Sequence, residues 1–478
     1  MATNRKRTKI VATLGPACGT KEIMESMMES GVNVFRINFS HADYSDVEER
    51  VKIIREINKR RNFHVAVLAD LQGPKLRVGV MEEGVELNAG DTFTFTTEKC
   101  EGTKVRAFMT YQNFPKDVKK GEHILVDDGK LLFEVTATDG DKNVITKVLR
   151  GGSLKSKKGV NLPNTKISLP ALTKKDKKDV VFAIGLDVDW IALSFVRTAE
   201  DLIGLHEIIK KHSKHKIPVI AKIEKPEAVA NIDKITPYCD GLMVARGDLG
   251  VEVPMEKVPL IQKRLVLKAK KAHIPVIIAT QMMETMIDNQ VPTRAEVNDV
   301  ANSIMDGADA VMLSGETSVG SYPLEVIKQM RKIIESVENS PLISVPEEYI
   351  QCINERFISK TICHQAALMA NSINAEVITT LTDSGFTAFQ ISSWRPKSNI
   401  LVFSSNRRIL AMLNLLWGVK GVFYDRFVST DQTIEDINRL AAERGYLNEG
   451  DYAINITSMP VKERGMANTL RVTEYTKN

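Results

Sequence analysis

Residues 219–224 read Val219-Ile220-Ala221-Lys222-Ile223-Glu224, and residues 242–248 read Leu242-Met243-Val244-Ala245-Arg246-Gly247-Asp248. Each is a short, nearly continuous apolar run that ends abruptly in charged side chains. Unbroken hydrophobicity of this kind marks a strand covered on both faces, as in a parallel sheet. Six more such runs lie outward from these two: Lys9–Leu14, Val32–Phe39, Val65–Leu71, Trp190–Phe195, Pro275–Thr280 and Ala310–Leu313. Helix-like stretches separate them. Thr20 can cap one that stops at Gly31, and Asp43 opens a charged amphipathic run through Arg61. Most neighbouring starts are roughly 25 to 35 residues apart, the size of a βα unit. Eight units predict a TIM (β/α)8 barrel in an α/β chain; an open doubly wound sheet is the alternative.

The interval from Leu71 to Trp190 breaks that spacing and predicts an inserted domain after strand 3. Val85–Glu98, His123–Val126 and Leu131–Thr136 have strand composition, with turn signals at Asp127-Asp128-Gly129 and Asp139-Gly140-Asp141. An all-β lid is expected there. Its basic, glycine-flanked exit, Leu154–Val160, reads by itself as a solvated loop. After Pro341, Glu355–Asn371 looks helical, and Glu376–Leu381, Ile400–Phe403 and Val419–Tyr424 look like strands alternating with helices. The expected division is a barrel of residues 1–73 and 171–342, an inserted β-barrel lid of 74–170, and a C-terminal α/β domain of 343–478 with a regulatory or assembly role.

Composition agrees with several domains: 478 residues correspond to about three at ~150 each. An apolar fraction of 43% beside 26% charged residues excludes disordered and low-complexity classes. A net charge of +5, spread along the chain, suits anionic small substrates and calls for no nucleic acid. No apolar run approaches the ~20 residues needed to span a bilayer, so no membrane partner is expected. The basic start Arg5-Lys6-Arg7 leads into a stretch broken by Lys9, Gly15 and Pro16, unlike an export signal. Cys18, Cys100, Cys239, Cys352 and Cys363 are scattered without a C-x-x-C pair, which fits reduced thiols and a cytoplasmic location.

In a barrel of this type chemistry sits at the carboxyl ends of the strands. Strand two ends Arg36-Ile37-Asn38-Phe39-Ser40, whose period of two puts Arg36, Asn38 and Ser40 on one face. Strand three ends in Asp70, strand five in Lys222-Ile223-Glu224, strand six in Arg246-Gly247-Asp248, strand seven in Thr280-Gln281 and strand eight in Ser314-Gly315-Glu316. Glu224 and Asp248, from successive strands, should be neighbours, and two carboxylates are how a protein commonly holds Mg²⁺. Lys222 shares a face with Glu224, and Arg36 offers a planar donor fork to a phosphoryl group. Singly, each has a plain alternative: a helix cap for Thr280, a pair with Asp70 for Arg36, turn formers for Asn38 and Ser40. Walker and Rossmann glycine patterns and H-E-x-x-H are absent, and His212 with His215 reads as a solvated helix end.

These motifs resemble pyruvate kinase. The match runs through Arg36-Ile37-Asn38-Phe39-Ser40-His41, Lys158–Pro163, Ala221–Glu224, Met243–Glu252, Ala279–Met282, Pro292–Glu296 and Leu313–Thr317, and covers essentially the whole chain. The resemblance implies a phosphotransferase that moves the phosphoryl group of phosphoenolpyruvate to ADP, giving pyruvate and ATP in the last step of glycolysis. It implies Glu224 and Asp248 as ligands of Mg²⁺ (or Mn²⁺), and Lys222, Arg36 and Thr280 as catalytic. Arg36, Gly247, Asp248 and Thr280 become substrate contacts, Arg77 and Lys158 nucleotide contacts. Tetramers are the family's usual assembly.

Family members that need K⁺ bind it at positions matching Asn38, Ser40, Asp70 and the backbone at Leu71, and carry Glu where Lys75 stands. Lys75, with Leu71 and Gln72, resembles the K⁺-independent branch, so Lys75 is expected to replace K⁺ electrostatically. In relatives a turn like Thr382-Asp383-Ser384-Gly385-Phe386-Thr387 holds an effector's phosphate at a helix start. Thr382, Ser384 and Thr387 are the expected contacts here, and Asp383 should disfavour a sugar bisphosphate. Two other readings stay open: a Mg²⁺-dependent lyase or aldolase using the same Lys, Glu and Asp, and a phosphometabolite-binding protein with an inert barrel.

Overall fold

In the computed structural model, which describes residues 6–40, 42–340, 356–426, 429–459 and 466–477, eight parallel strands close a barrel. They are β1 (Lys9–Thr13), β2 (Val34–Asn38), β3 (Ala66–Asp70), β4 (Trp190–Leu193), β5 (Val219–Ile223), β6 (Gly241–Ala245), β7 (Val276–Ala279) and β8 (Ala310–Leu313). Each pairs with its neighbours in sequence, and β8 returns to β1 with Ala310 opposite Lys9.

The unbroken apolar runs have a direct cause. Val11, Val34, Leu68, Trp190, Ile220, Met243 and Ile277 fill the interior of the barrel, while alternate residues such as Ile10, Phe35, Val67 and Ile191 pack under the surrounding helices. With both faces buried, no position in a strand stays polar for solvent's sake. The helices start and stop where their caps stand. Thr20 accepts from the Ile23 amide, and Gly31, at φ +122°, ends the helix Lys21–Ser30. The Asp43 carboxylate accepts the Ser45 amide at 2.9 Å to open Tyr44–Arg61.

Between β3 and β4 the chain leaves the barrel and forms a six-stranded sheet in the order Val160–Asn161, His123–Val126, Leu131–Thr138, Asn143–Arg150, Thr92–Thr96, Arg106–Phe108. A ribbon of Glu86–Leu87 with Gly152–Ser153 lies beside it. Phe93, Phe95, Phe114 and Phe133 pack edge to face in a core of its own. Two details differ from the expected all-β barrel. The outermost strands do not pair directly; residues 76–79 lie between them, with the Val78 amide on the Lys158 carbonyl at 3.0 Å and the Gly79 amide on the Phe108 carbonyl at 2.8 Å. Phe114–Asp117 forms one helical turn.

The C-terminal sheet has four parallel strands, Val419–Phe423, Asn399–Ser404, Val377–Leu381 and Tyr452–Thr457, with Thr469–Glu474 antiparallel at its edge. Neither of the last two is among the expected strands; exposed positions interrupt Thr469–Glu474, whereas Tyr452–Thr457 is buried after its first residue. The expected boundary at 342/343, Pro341, Glu355, His41 and Cys352 lie outside the described residues. This C-terminal unit seals the floor of the barrel. The Lys9 ammonium donates to the Val419 carbonyl at 2.6 Å, the Trp190 indole to the Met412 carbonyl at 3.0 Å, and Arg395 pairs with Asp309 at 3.0 Å. Cys18, Cys100, Cys239 and Cys363 are free thiols. Among the described residues no helix is long and apolar enough to cross a membrane.

Candidate active site

The opposite end of the barrel gathers the strand-end residues into one network. Asp70, at the end of β3, is 1% exposed. Its Oδ2 accepts Arg36 Nε at 2.6 Å and its Oδ1 meets Lys222 Nζ at 3.1 Å. Arg36 also donates to Thr13 Oγ1 at 3.0 Å. Lys222 reaches Glu224 Oε1 at 3.0 Å and donates to Ser194 Oγ at 2.7 Å. Ser194 in turn donates to the Leu71 carbonyl at 2.6 Å. Glu224 accepts the Phe195 amide through its other oxygen at 2.8 Å.

Burial opposes every charge in this cluster, and the charges answer it unequally. Desolvation alone would lower the Lys222 pKa, but Asp70 and Glu224, with Asp248, outweigh it and hold the ammonium above its ordinary value. Burial likewise works against ionised Asp70, and Lys222 with Arg36 overcomes it, so Asp70 stays below its ordinary value. Glu224 goes the other way. Its burial and the nearby Asp248 charge together exceed the help from Lys222, and its pKa rises.

Asp248 stands in the first turn of the helix Arg246–Glu252. Its carboxylate has no hydrogen-bond or ion-pair partner among the described residues, although it lies close enough to Glu224 for their charges to repel. Two like charges, one buried and one unsatisfied, form a donor set of hard oxygens that lacks a cation. A divalent ion held by one or two carboxylates and completed by substrate oxygens and water fits that set. Among the described residues there is no cluster of three or more metal-binding side chains.

Thr280 does not begin a helix. It and Gln281 lie in the left-handed region, at φ +68° and +53°, a conformation that costs a non-glycine residue about 1–3 kcal/mol. The strain is held by Arg246, which donates to the Thr280 carbonyl at 2.9 Å and pairs with Asp299 at 2.6 Å. The Thr280 hydroxyl accepts the Gly247 amide at 2.6 Å, and a Cβ at Gly247 would stand 3.2 Å from that oxygen. Glycine is what lets the two strand ends close.

At the expected monovalent-cation position, the Asn38 side chain accepts the Ser40 amide at 3.1 Å and Lys175 donates to the Phe39 carbonyl at 2.7 Å. Lys75 faces the open cleft. Desolvation lowers its pKa most; of the charges, Asp248, Lys222, Arg77 and Glu224 act on it most strongly. The cleft itself, about 270 Å³, runs between barrel and lid and is lined by Lys75, Arg77, Lys158, Arg197, Lys225 and Asp248 among others. Arg77 donates to the Lys157 carbonyl at 2.8 Å, and Lys158 pairs with Asp127 at 2.8 Å.

Thr382, Ser384 and Thr387 are elsewhere. They line a cavity of about 580 Å³ in the C-terminal unit, together with Arg356, Asp383 and Arg426. The Gly385 amide donates to Thr382 Oγ1 at 2.9 Å, at the start of the helix Phe386–Ser393.

Residues 5–327 match the pyruvate kinase barrel domain, and residues 360–473 the pyruvate kinase alpha/beta domain. The chain belongs to the pyruvate kinase family. It is 41% identical to the pyruvate kinase of Geobacillus stearothermophilus over 98% of this chain and 80% of that protein, and 41% identical to the Corynebacterium glutamicum pyruvate kinase over 98% and 97%. A pyruvate kinase structure from Cryptosporidium parvum superposes with a TM-score of 0.90 at 33% identity, covering 98% of this chain and 96% of that one. Membership in the family makes the chain an enzyme, a phosphotransferase. Sequence reading passed over Thr13 and Ser194, from the two strand ends it did not inspect. Inspecting Thr13-Leu14 and Ser194-Phe195 as it did the other six would have found them.

Proposed function

We propose that the protein transfers the phosphoryl group of phosphoenolpyruvate to ADP, with Mg²⁺ held by Glu224 and Asp248. The observation that carries this reading is the Lys222 ammonium: it is buried, kept protonated by Asp70 and Glu224, and within 3.1 Å of both. A loose phosphoryl-transfer transition state asks the protein for positive charge and alignment more than for a nucleophile. The metal, when bound, supplies charge neutralisation at phosphoryl and enolate oxygens.

In this reading Arg36, braced by Asp70 and Thr13, grips the phosphoryl group. Lys222 stabilises the group in flight and the enolate it leaves. Gly247 and Asp248 contact the substrate, and Thr280, fixed by the Gly247 amide, stands at the face where the enolate takes its proton. Arg77 and Lys158 bind ADP in the cleft, and the lid keeps water from intercepting the phosphoryl group.

Lys75 takes the electrostatic place of K⁺ beside Asn38, Ser40, Asp70 and Leu71, and the enzyme works without potassium. The division into residues 1–73 with 171–342, 74–170 and 343–478 is supported by apolar clusters that stay within the lid, as at Phe93 and Phe133, and within the C-terminal unit, as at Ile378 and Val402. Exposed Met255, Leu260, Leu267, Val291 and Val319 on the barrel support association with further copies, as a tetramer, and the free thiols support a cytoplasmic location. The cavity at Thr382, Ser384 and Thr387 takes an effector's phosphate.

A coupled pyruvate assay tests the core of this: product should require phosphoenolpyruvate, ADP and a divalent ion together. Pyruvate released without ADP would favour a lyase instead.

A further inference from the structure

Glu252 ends the helix that Gly247 and Asp248 begin. Its side chain is buried, with the residue 4% exposed, and forms part of the cleft wall between barrel and lid. One carboxylate oxygen, Oε1, accepts two bonds, from Lys225 Nζ at 2.6 Å and from Asn161 Nδ2 at 2.8 Å. The other, Oε2, is buried without a hydrogen-bond partner.

The three residues come from three separate parts of the chain. Asn161 lies in the last strand of the lid, just past Lys158. Lys225 directly follows Glu224 at the end of β5. Glu252 rides on the helix that carries Asp248. The lid meets the same helix again at Gly129, where a Cβ would lie 3.9 Å from Val251. A purely structural pair would need only Lys225, and both oxygens of a buried carboxylate are ordinarily satisfied. Here both donors share one oxygen, and the bare one belongs to a residue that walls the cleft between barrel and lid.

We propose that Glu252 is a positioning residue that fastens the lid's exit to the barrel rim and so sets the width of the nucleotide cleft. Lys225 holds the carboxylate in place. The Asn161 amide passes from Oε1 to Oε2 as the cleft narrows, so the lid stays tethered at both limits of its travel. The proposal rests on the reading that ADP binds between barrel and lid.

The test uses the full chain carrying Asn161→Ala or Glu252→Gln. Pyruvate formation gives KM for ADP and for phosphoenolpyruvate, and amide hydrogen exchange over residues 156–163 is followed with no substrate present. Losing the tether should raise KM for ADP about tenfold, the lower end of what one charge-assisted hydrogen bond is worth. KM for phosphoenolpyruvate should stay within about twofold, and exchange in the exit segment should quicken. Asn161→Ala removes only a partly exposed amide, so it serves if Glu252→Gln fails to fold. Equal rises in both KM values, or unchanged exchange in Asn161→Ala, would overturn the tether. Faster exchange in Asn161→Ala beside a parent chain that makes no pyruvate would support the tether and reject the substrate assignment.

Discussion

At the floor of the barrel, Asp309 accepts Arg395 at 3.0 Å and the Val276 amide at 3.0 Å, and Lys9 ends on the Val419 carbonyl. At the rim, Asp70 holds Arg36 and Lys222 just as closely, yet Asp248 beside them is bonded to nothing among the described residues. Both clusters are buried and both mix acids with bases. The floor draws Arg395 and the Val419 carbonyl from the C-terminal unit and is closed. The rim is left with an uncompensated carboxylate pair and an open cleft. Buried charge by itself is therefore a poor guide to function; charge left without its complement is a better one.

That contrast breaks most severely at Lys222. Lys222→Ala should lower the rate of pyruvate formation by about 10³-fold or more while far-ultraviolet circular dichroism is retained. Arg395→Met should do the reverse. Stranding Asp309 at the floor should cost about 3–5 kcal/mol in a denaturant titration, with kcat per folded molecule unchanged. A rate loss as large as that of Lys222→Ala would erase the distinction between the two ends.

How much of this could be read beforehand differs by region. The barrel strands were legible because burial on both faces leaves an unbroken apolar signature, as in Val219–Ile223. The lid edges were not, since Arg106–Phe108 and Val160–Asn161 are too short to show any period. At the rim, charged residues that end apolar runs identified Arg36, Asp70, Lys222, Glu224 and Asp248. Pairing across the barrel is a matter of three-dimensional register, so the Lys222–Ser194–Leu71 chain carries no local mark. The left-handed backbone at Thr280 and Gln281 is invisible too, because neither is the glycine that such a conformation usually selects.

Smaller effects sharpen the comparison. If Lys75 completes the rim's charge in place of K⁺, Lys75→Glu should lose about tenfold activity in potassium-free buffer, ~1.4 kcal/mol, and regain it when K⁺ is added. No response to K⁺ would remove Lys75 from that role. The pH dependence of Mn²⁺ binding reads Glu224 directly. Its folded pKa is raised by burial and Asp248, so the proton competes with metal at a higher pH than for a solvated Glu. Affinity should fall as pH drops toward that raised value and be complete above it; in Asp248→Asn the fall should move to lower pH. Least of all, fructose 1,6-bisphosphate should shift the phosphoenolpyruvate curve less than about twofold, because Asp383 lines the distal cavity. A strong left shift at micromolar effector would contradict this.

The pairing of β1 with β8 also has a consequence for how the protein is made. During synthesis β1 lacks one of its two neighbours until residues 310–313 have emerged, and its Lys9 lacks the Val419 carbonyl until residue 419 follows. Until residue 313 is made, β1 is a sticky edge exposed to chaperones and to other nascent chains. Premature termination anywhere before residue 310 leaves an open ring.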